Sequence, residues 1–123
     1  MTDYDEMVER LRATAGKSLL GVGRYDADEY EVLYISENFA TRYPQEKLSD
    51  IAHDMYLEHI SSEHQENLLY DFGELRATIR LFEGGAALHV PTGETTGFGF
   101  GIEMDAMTDV VELVDICLDY ADD

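Results

Sequence analysis

The chain is poor in positive charge, in cysteine and in long apolar runs, and each shortage excludes a class of protein. Only eight of its 123 residues are basic, and two of those, Lys17 and Lys47, are lysine. The six arginines (Arg10, Arg12, Arg24, Arg42, Arg76, Arg80) are scattered, so no basic stripe exists to hold a phosphate backbone. A single cysteine, Cys117, leaves neither an internal disulfide framework nor a zinc-binding cysteine pair. No apolar stretch approaches the ~18 residues of a membrane span, and the acidic start MTDYDEMVERL is not a signal peptide. We expect a cytoplasmic protein with no direct nucleic-acid or membrane partner. No repeat or low-complexity linker interrupts residues 1–123, so one domain is expected.

What the chain has in excess is carboxylate. Twenty-seven Asp and Glu residues run from Asp3 to Asp123 and set a formal net charge of -19. At low ionic strength so much like charge pushes a compact domain apart. At molar salt the Debye length shrinks to roughly 3 Å, against about 10 Å at 0.1 M, and most of that repulsion disappears. A hydrated acidic surface with little lysine suits a cytoplasm rich in potassium chloride, and we read the chain as haloarchaeal. In that setting acidity describes the solvent and not a basic partner.

Periodicity supplies the elements. Tyr4, Met7, Val8, Leu11 and Ala15 form one apolar helical stripe, which Gly16 is placed to end. SLLGVGRY (18–25) and EYEVLYIS (29–36) flank Asp26-Ala27-Asp28 as a β-hairpin. Bulk on both faces of the second strand (Tyr30, Val32, Tyr34 against Leu33, Ile35) marks it as a central strand. Residues 36–72 read as helical in two or three pieces, with Pro44 in a first turn and a restart at Ser61-Ser62, where Ser62 and Gln65 resemble a capping box. Leu75, Ala77, Ile79 and Leu81 alternate with polar residues as a half-buried strand. Strands AALHV (86–90) and TTGFGFGIE (95–103) follow, then a helix from about Asp105 carrying Met107, Val110, Val111, Val114, Cys117 and Leu118 on one side. The fold class is α+β, a five-stranded antiparallel sheet with N-terminal, middle and C-terminal helices in the order α-β-β-α-β-β-β-α.

Candidate chemistry is sparse. GFGFG (97–101) is not a GxGxxG loop and lacks its strand-then-helix context. As a strand it puts Phe98, Phe100 and Ile102 on one face and three glycines on the other, which suits a helix packed close against the glycines while the aromatics fill the core; the alternative is a side-chain-free strip that a ligand or partner backbone approaches. His53, His59 and His64 lie among acidic residues, but successive spacings of six and five are not the i, i+4 pair of a zinc site. His53 and His64 would share a helix face about 16 Å apart. They read as surface histidines, and we expect no metal and no cofactor. Glu46, Asp50 and Asp54 form an acidic helical ridge best read as a solvated face. Cys117 reads as a small buried hydrophobe. With no catalytic constellation, no enzyme activity is expected.

YDADEYEVLYIS and GELRATIRLFEGGAALHVPTGETTGFGFGIE together resemble a family of small acidic haloarchaeal proteins without a known activity. The element order also resembles roadblock and longin domains of the profilin-like class. That resemblance implies a non-catalytic platform that dimerises through its long middle helix and an adjacent strand edge, here 45–70 and 74–82, and that serves small GTPases or a scaffold. We therefore expect a homodimeric interaction or regulatory module for an unidentified protein partner, with Tyr30, Tyr34, Phe98 and Phe100 as its exposed interface. The alternative is a small-molecule-sensing domain whose tyrosines and phenylalanines line a pocket.

Overall fold

The computed structural model describes residues 4–27 and 29–121, with the side chains of 59–67 and 70 outside the description. Among the described residues the chain forms four α-helices and one sheet. Their order is α1 (Tyr4–Ala15), β1 (Leu19–Asp26), β2 (Glu29–Ile35), α2 (Glu37–Arg42), α3 (Gln45–Leu68), β3 (Thr78–Phe82), β4 (Gly85–Pro91), β5 (Thr96–Glu103) and α4 (Val110–Leu118). The sheet runs β2-β1-β5-β4-β3 and every pairing is antiparallel. The expected α+β class and five-stranded antiparallel sheet are therefore present.

Strand alternation divides the sheet into two unlike faces. One carries Val22, Leu88, Val90, Phe98, Phe100 and Ile102, and α1 and α4 cover it with Met7, Leu11, Leu113, Val114 and Cys117. These residues make the core, and burying a side chain such as Phe98 contributes about 1.5–3 kcal/mol. The opposite face offers Gly21, Gly23 and Tyr25 of β1, Ala87 and His89 of β4, and the three glycines of GFGFG, with α3 lying across them.

Five sequence expectations are corrected. β2 is an edge strand, not a central one. Its bulk on both faces reflects coverage by α1 on one side and the α2–α3 region on the other, which an edge strand receives as readily as a central one. Secondly, a bulge opposite Val22 and Gly23 skips Leu33, so Tyr34 pairs with Val22 while Val32 pairs with Gly23. The extra residue turns Tyr34 to the α1 face, under the Arg12 guanidinium 4.9 Å from its ring, while Tyr30 stays on the α3 face.

Thirdly, 45–68 is one unbroken 24-residue helix. It starts just after Pro44, whose carbonyl accepts from the Lys47 and Leu48 amides, and it runs straight through Ser61-Ser62. Serine tolerates a helix interior when tertiary packing fixes the helix, so the capping-box pattern did not break it. The preceding piece, α2, is capped by Ser36, whose Oγ accepts from the Phe39 amide at 3.2 Å. Fourthly, the third strand begins at Thr78 and not at Leu75, and it is an exposed edge instead of a half-buried strand. Val111, placed on the buried stripe of the last helix, is exposed as well.

Candidate functional site

α3 crosses the sheet from one edge to the other. Near its start the Gln45 side chain donates to the Tyr30 hydroxyl on β2 at 3.4 Å; further along the helix Glu58 reaches His89 on β4 and Arg80 on β3. The crossing is close because the strand beneath it is bare. A Cβ at Gly99 would lie 2.7 Å from the Met55 Cε, and one at Gly97 would sit 2.7 Å from two atoms of the Tyr25 ring. Gly99 thus admits Met55 of the helix and Gly97 admits the Tyr25 ring, while Gly101 has only ordinary contacts.

Between α3 and the sheet runs a chain of polar contacts built from four elements. The Tyr25 hydroxyl lies 2.6 Å from His89 Nε2, and His89 Nδ1 lies 2.9 Å from Glu58 Oε1. Arg80 donates to Glu58 Oε2 at 2.5 Å and to Asp54 at 2.6 Å. With the His89 proton on Nδ1, that nitrogen donates to Glu58 Oε1 and leaves Nε2 to accept from the Tyr25 hydroxyl. Tyr25 is 2% exposed and His89 3% exposed. Burial pushes the Tyr25 hydroxyl far above its ordinary range, with Glu58 and Tyr56 adding to the shift. The bonds to Asp54 and Glu58 raise the Arg80 guanidinium further. The string ties β1, β4, β3 and α3 together and fixes how the helix sits.

Two concavities flank α3. On the β1–β2 side an apolar pocket of about 150 Å³ is lined by Tyr30, Val32, Phe39, Leu48, Ile51 and Met55 over a floor that includes Gly21 and Gly23. On the β3–β4 side a wider groove of about 620 Å³ opens, where Asp54, Glu58, Arg80 and Phe82 meet solvent. The β3 edge shows Phe82 to water at that groove and Ile79 and Leu81 on the other face of the sheet, with Leu81 and Phe82 about three-fifths exposed at 62% and 61%. Leu57, Leu68, Leu69 and Phe72 are also exposed along and after α3.

The residues expected at an interface do not come together. Phe98 and Phe100 are 1% and 2% exposed and belong to the core beneath α1 and α4, so they offer nothing to a partner. The alternation that puts them on one face does not tell which face a helix covers. Tyr30 and Tyr34 are half-buried on opposite faces of β2. His53 is exposed, while the side chains of His59 and His64 lie outside the described residues. Among the described residues no group of three or more His, Cys, Asp or Glu is arranged to hold a metal ion. Asp54 is no idle member of an acidic ridge, since it pairs with Arg80. The residue that sequence reasoning missed is His89. A lone histidine in the apolar strand AALHV was its only signal, and reading it required knowing that Tyr25 and Glu58 arrive on either side.

No described helix is long and apolar enough to cross a membrane. No curated protein matches the chain. Solved structures do share its fold. A roadblock/LC7 domain from Streptomyces avermitilis superposes with a TM-score of 0.63 at 14% identity, over 98% of this chain and 92% of that one. MglB of Myxococcus xanthus gives 0.61 at 10% identity over 94% and 91%, and an MglB in a tetrameric arrangement gives 0.64 at 13% over 94% and 85%. At such identities the likeness is one of fold, and the fold is roadblock/LC7-like. Residues 5–122 match the family described as "Domain of unknown function (DUF7522)", and the chain belongs to that family.

Proposed function

We propose that the chain is a non-catalytic interaction or regulatory module, working as a homodimeric platform for a protein partner in the cytoplasm of a halophilic archaeon. The observation that carries this reading is the outer edge of β3, which pairs with β4 on one side, has no strand on the other among the described residues, and bears Ile79, Leu81 and Phe82 in the open. An open strand edge flanked by exposed apolar side chains invites pairing with another chain. The opposite edge is protected: β2 carries Glu29 and Glu31 and is bent by its bulge. A second copy pairing β3 to β3 would extend the sheet across a two-fold axis and set the exposed apolar residues of α3 beside it. The fold likeness supports the same reading, one neighbour being an MglB in a tetrameric arrangement.

The Tyr25–His89–Glu58 string has the order of a nucleophile, base and orienting acid, but it lies under α3. A phenol held neutral and nearly inaccessible serves structure, not attack on a substrate. The charge also fits: two copies each carrying a formal -19 associate only where salt screens them.

The test is the native mass in multimolar potassium chloride, by light scattering on a sizing column. A dimer is expected for the natural chain, and a monomer for Leu81→Lys with an unchanged circular dichroism spectrum. A clean monomer for the natural chain would remove the reading.

A further inference from the structure

The pocket between α3 and the first hairpin is not a by-product of close packing. Gly97 and Gly99 have a packing reason to be glycine, because a side chain there would strike Tyr25 or Met55. Gly21 and Gly23 sit at the irregular pairings that β1 makes with β5 and β2, but no such close contact holds them. A Cβ at Gly23 would meet only the Glu31 carbonyl, at 3.4 Å, and one at Gly21 would meet the Tyr34 carbonyl at 3.4 Å and Phe39 at 3.9 Å. Those are ordinary contacts, and neither glycine has a positive φ. Glycine inside a strand weakens it relative to a residue with a side chain. The cost is borne where the missing side chains leave open, apolar space.

The space has a definite size and chemistry. Its volume of about 150 Å³ matches that of a cavity that accepts one benzene, with one side open to solvent past Val32 and Ile51. Its walls are Tyr30, Val32, Phe39, Leu48, Ile51 and Met55, with peptide backbone as the floor. Arg24 and Glu31 also border it, but the register turns their side chains to the other face of the sheet. The two face each other across the hairpin on the α1 side, where the Arg24 guanidinium stands 5.3 Å from the Tyr4 ring. An anion would meet no cation inside and the field of a strongly acidic chain outside. We infer that this pocket binds a single uncharged aromatic ring, lying flat against the bare backbone of Gly21 and Gly23 under α3.

The probes are fluorobenzene, 4-fluorophenol and 4-fluorobenzoate, titrated into the full chain in high salt and followed by fluorine and amide NMR. The two neutral rings are expected to saturate with dissociation constants at or below about 1 mM, a modest demand for so few heavy atoms. Amide shifts should be confined to 21–25, 30–35 and 48–55, and the benzoate should bind at least tenfold more weakly. Gly23→Val fills the floor and should abolish binding. Ala52→Leu fills the same space from α3 and stands in if the first variant does not fold. Three results would overturn the inference: no saturable shift with either neutral ring, equal binding of the benzoate, or filled variants that bind like the natural chain. Pocket amides that respond to protein concentration but not to the rings would instead assign the space to a second copy.

Discussion

Removing the His89 imidazole should expose how much of the molecule depends on the polar string beneath α3. The ring is 3% exposed and holds contacts of 2.6 Å to Tyr25 and 2.9 Å to Glu58. His89→Ala opens a cavity of aromatic size and strips a partner from each of two groups in a site of low dielectric. Together these should cost about 3–5 kcal/mol. Tyr25→Phe keeps the ring and loses one hydrogen bond, for about 1 kcal/mol. In the double variant that bond is already gone, so the phenylalanine should add almost nothing, leaving a coupling of about 1 kcal/mol. Glu58→Gln keeps an acceptor for the His89 Nδ1 proton and weakens the Arg80 pair. Because Arg80 is half exposed, that change should cost only about 0.5–1 kcal/mol. The assay is urea unfolding at pH 7 and fixed potassium chloride, followed by far-ultraviolet circular dichroism. A His89→Ala loss below about 1 kcal/mol, or additivity of the pair within about 0.3–0.5 kcal/mol, would refute the reasoning.

Other expectations are as sharp. Gly23→Ala should leave stability unchanged or raise it by about 0.5–1 kcal/mol, while Gly97→Ala, driven against a Tyr25 ring that His89 holds, should lower it by more than about 1 kcal/mol; thermal unfolding of the two variants decides the order. Burial pushes the Cys117 thiol up to about 12 from an ordinary 9.0, so iodoacetamide should label it only as fast as the chain unfolds. Cys117 and Tyr25 are both raised in the folded state, so the unfolded chain releases these protons first. Stability should therefore hold below about pH 9 and fall as pH climbs towards 12, which a series of melting curves will show. If the formal charge of -19 is an adaptation to salt, the melting temperature should keep rising through molar potassium chloride; a flat dependence would count against a halophilic source.

Much of the architecture is written in periodicity. The α1 stripe of Met7, Val8 and Leu11 is buried as its spacing requires, and Gly16, at a φ of 60°, ends that helix. The GFGFG alternation separates a core face from a packing face, as its residues suggest. Position within the sheet is harder to read, because the same apolar strand pattern serves an edge or a centre. β2 and β3 look alike in that respect, and neighbours distant in sequence decide their places. The bulge at Leu33 is invisible for the same reason, since an extra residue changes no composition yet reverses the face of Tyr34. The candidate interface suffered most. Exposure belongs to the assembled molecule, and aromatic residues signal partner and core alike. His89 was beyond reach because its partners come from positions 25 and 58.

The strand order also fixes when the chain can become a protein. Its central pairing joins β1 to β5, with Asp26 beside Thr96 and Leu19 beside Ile102, closing loops of about 70–83 residues. Neither the first hairpin nor the later meander owns a complete core, since Val22 and Leu88 both need Phe100 between them. During synthesis the N-terminal half must therefore wait, with its apolar face uncovered, until β5 has left the ribosome. Such long-range closure belongs to slow folders, on the scale of milliseconds to seconds. A nascent chain with so much negative charge repels its neighbours over that interval, so the same acidity that burdens the compact state guards the unfinished one.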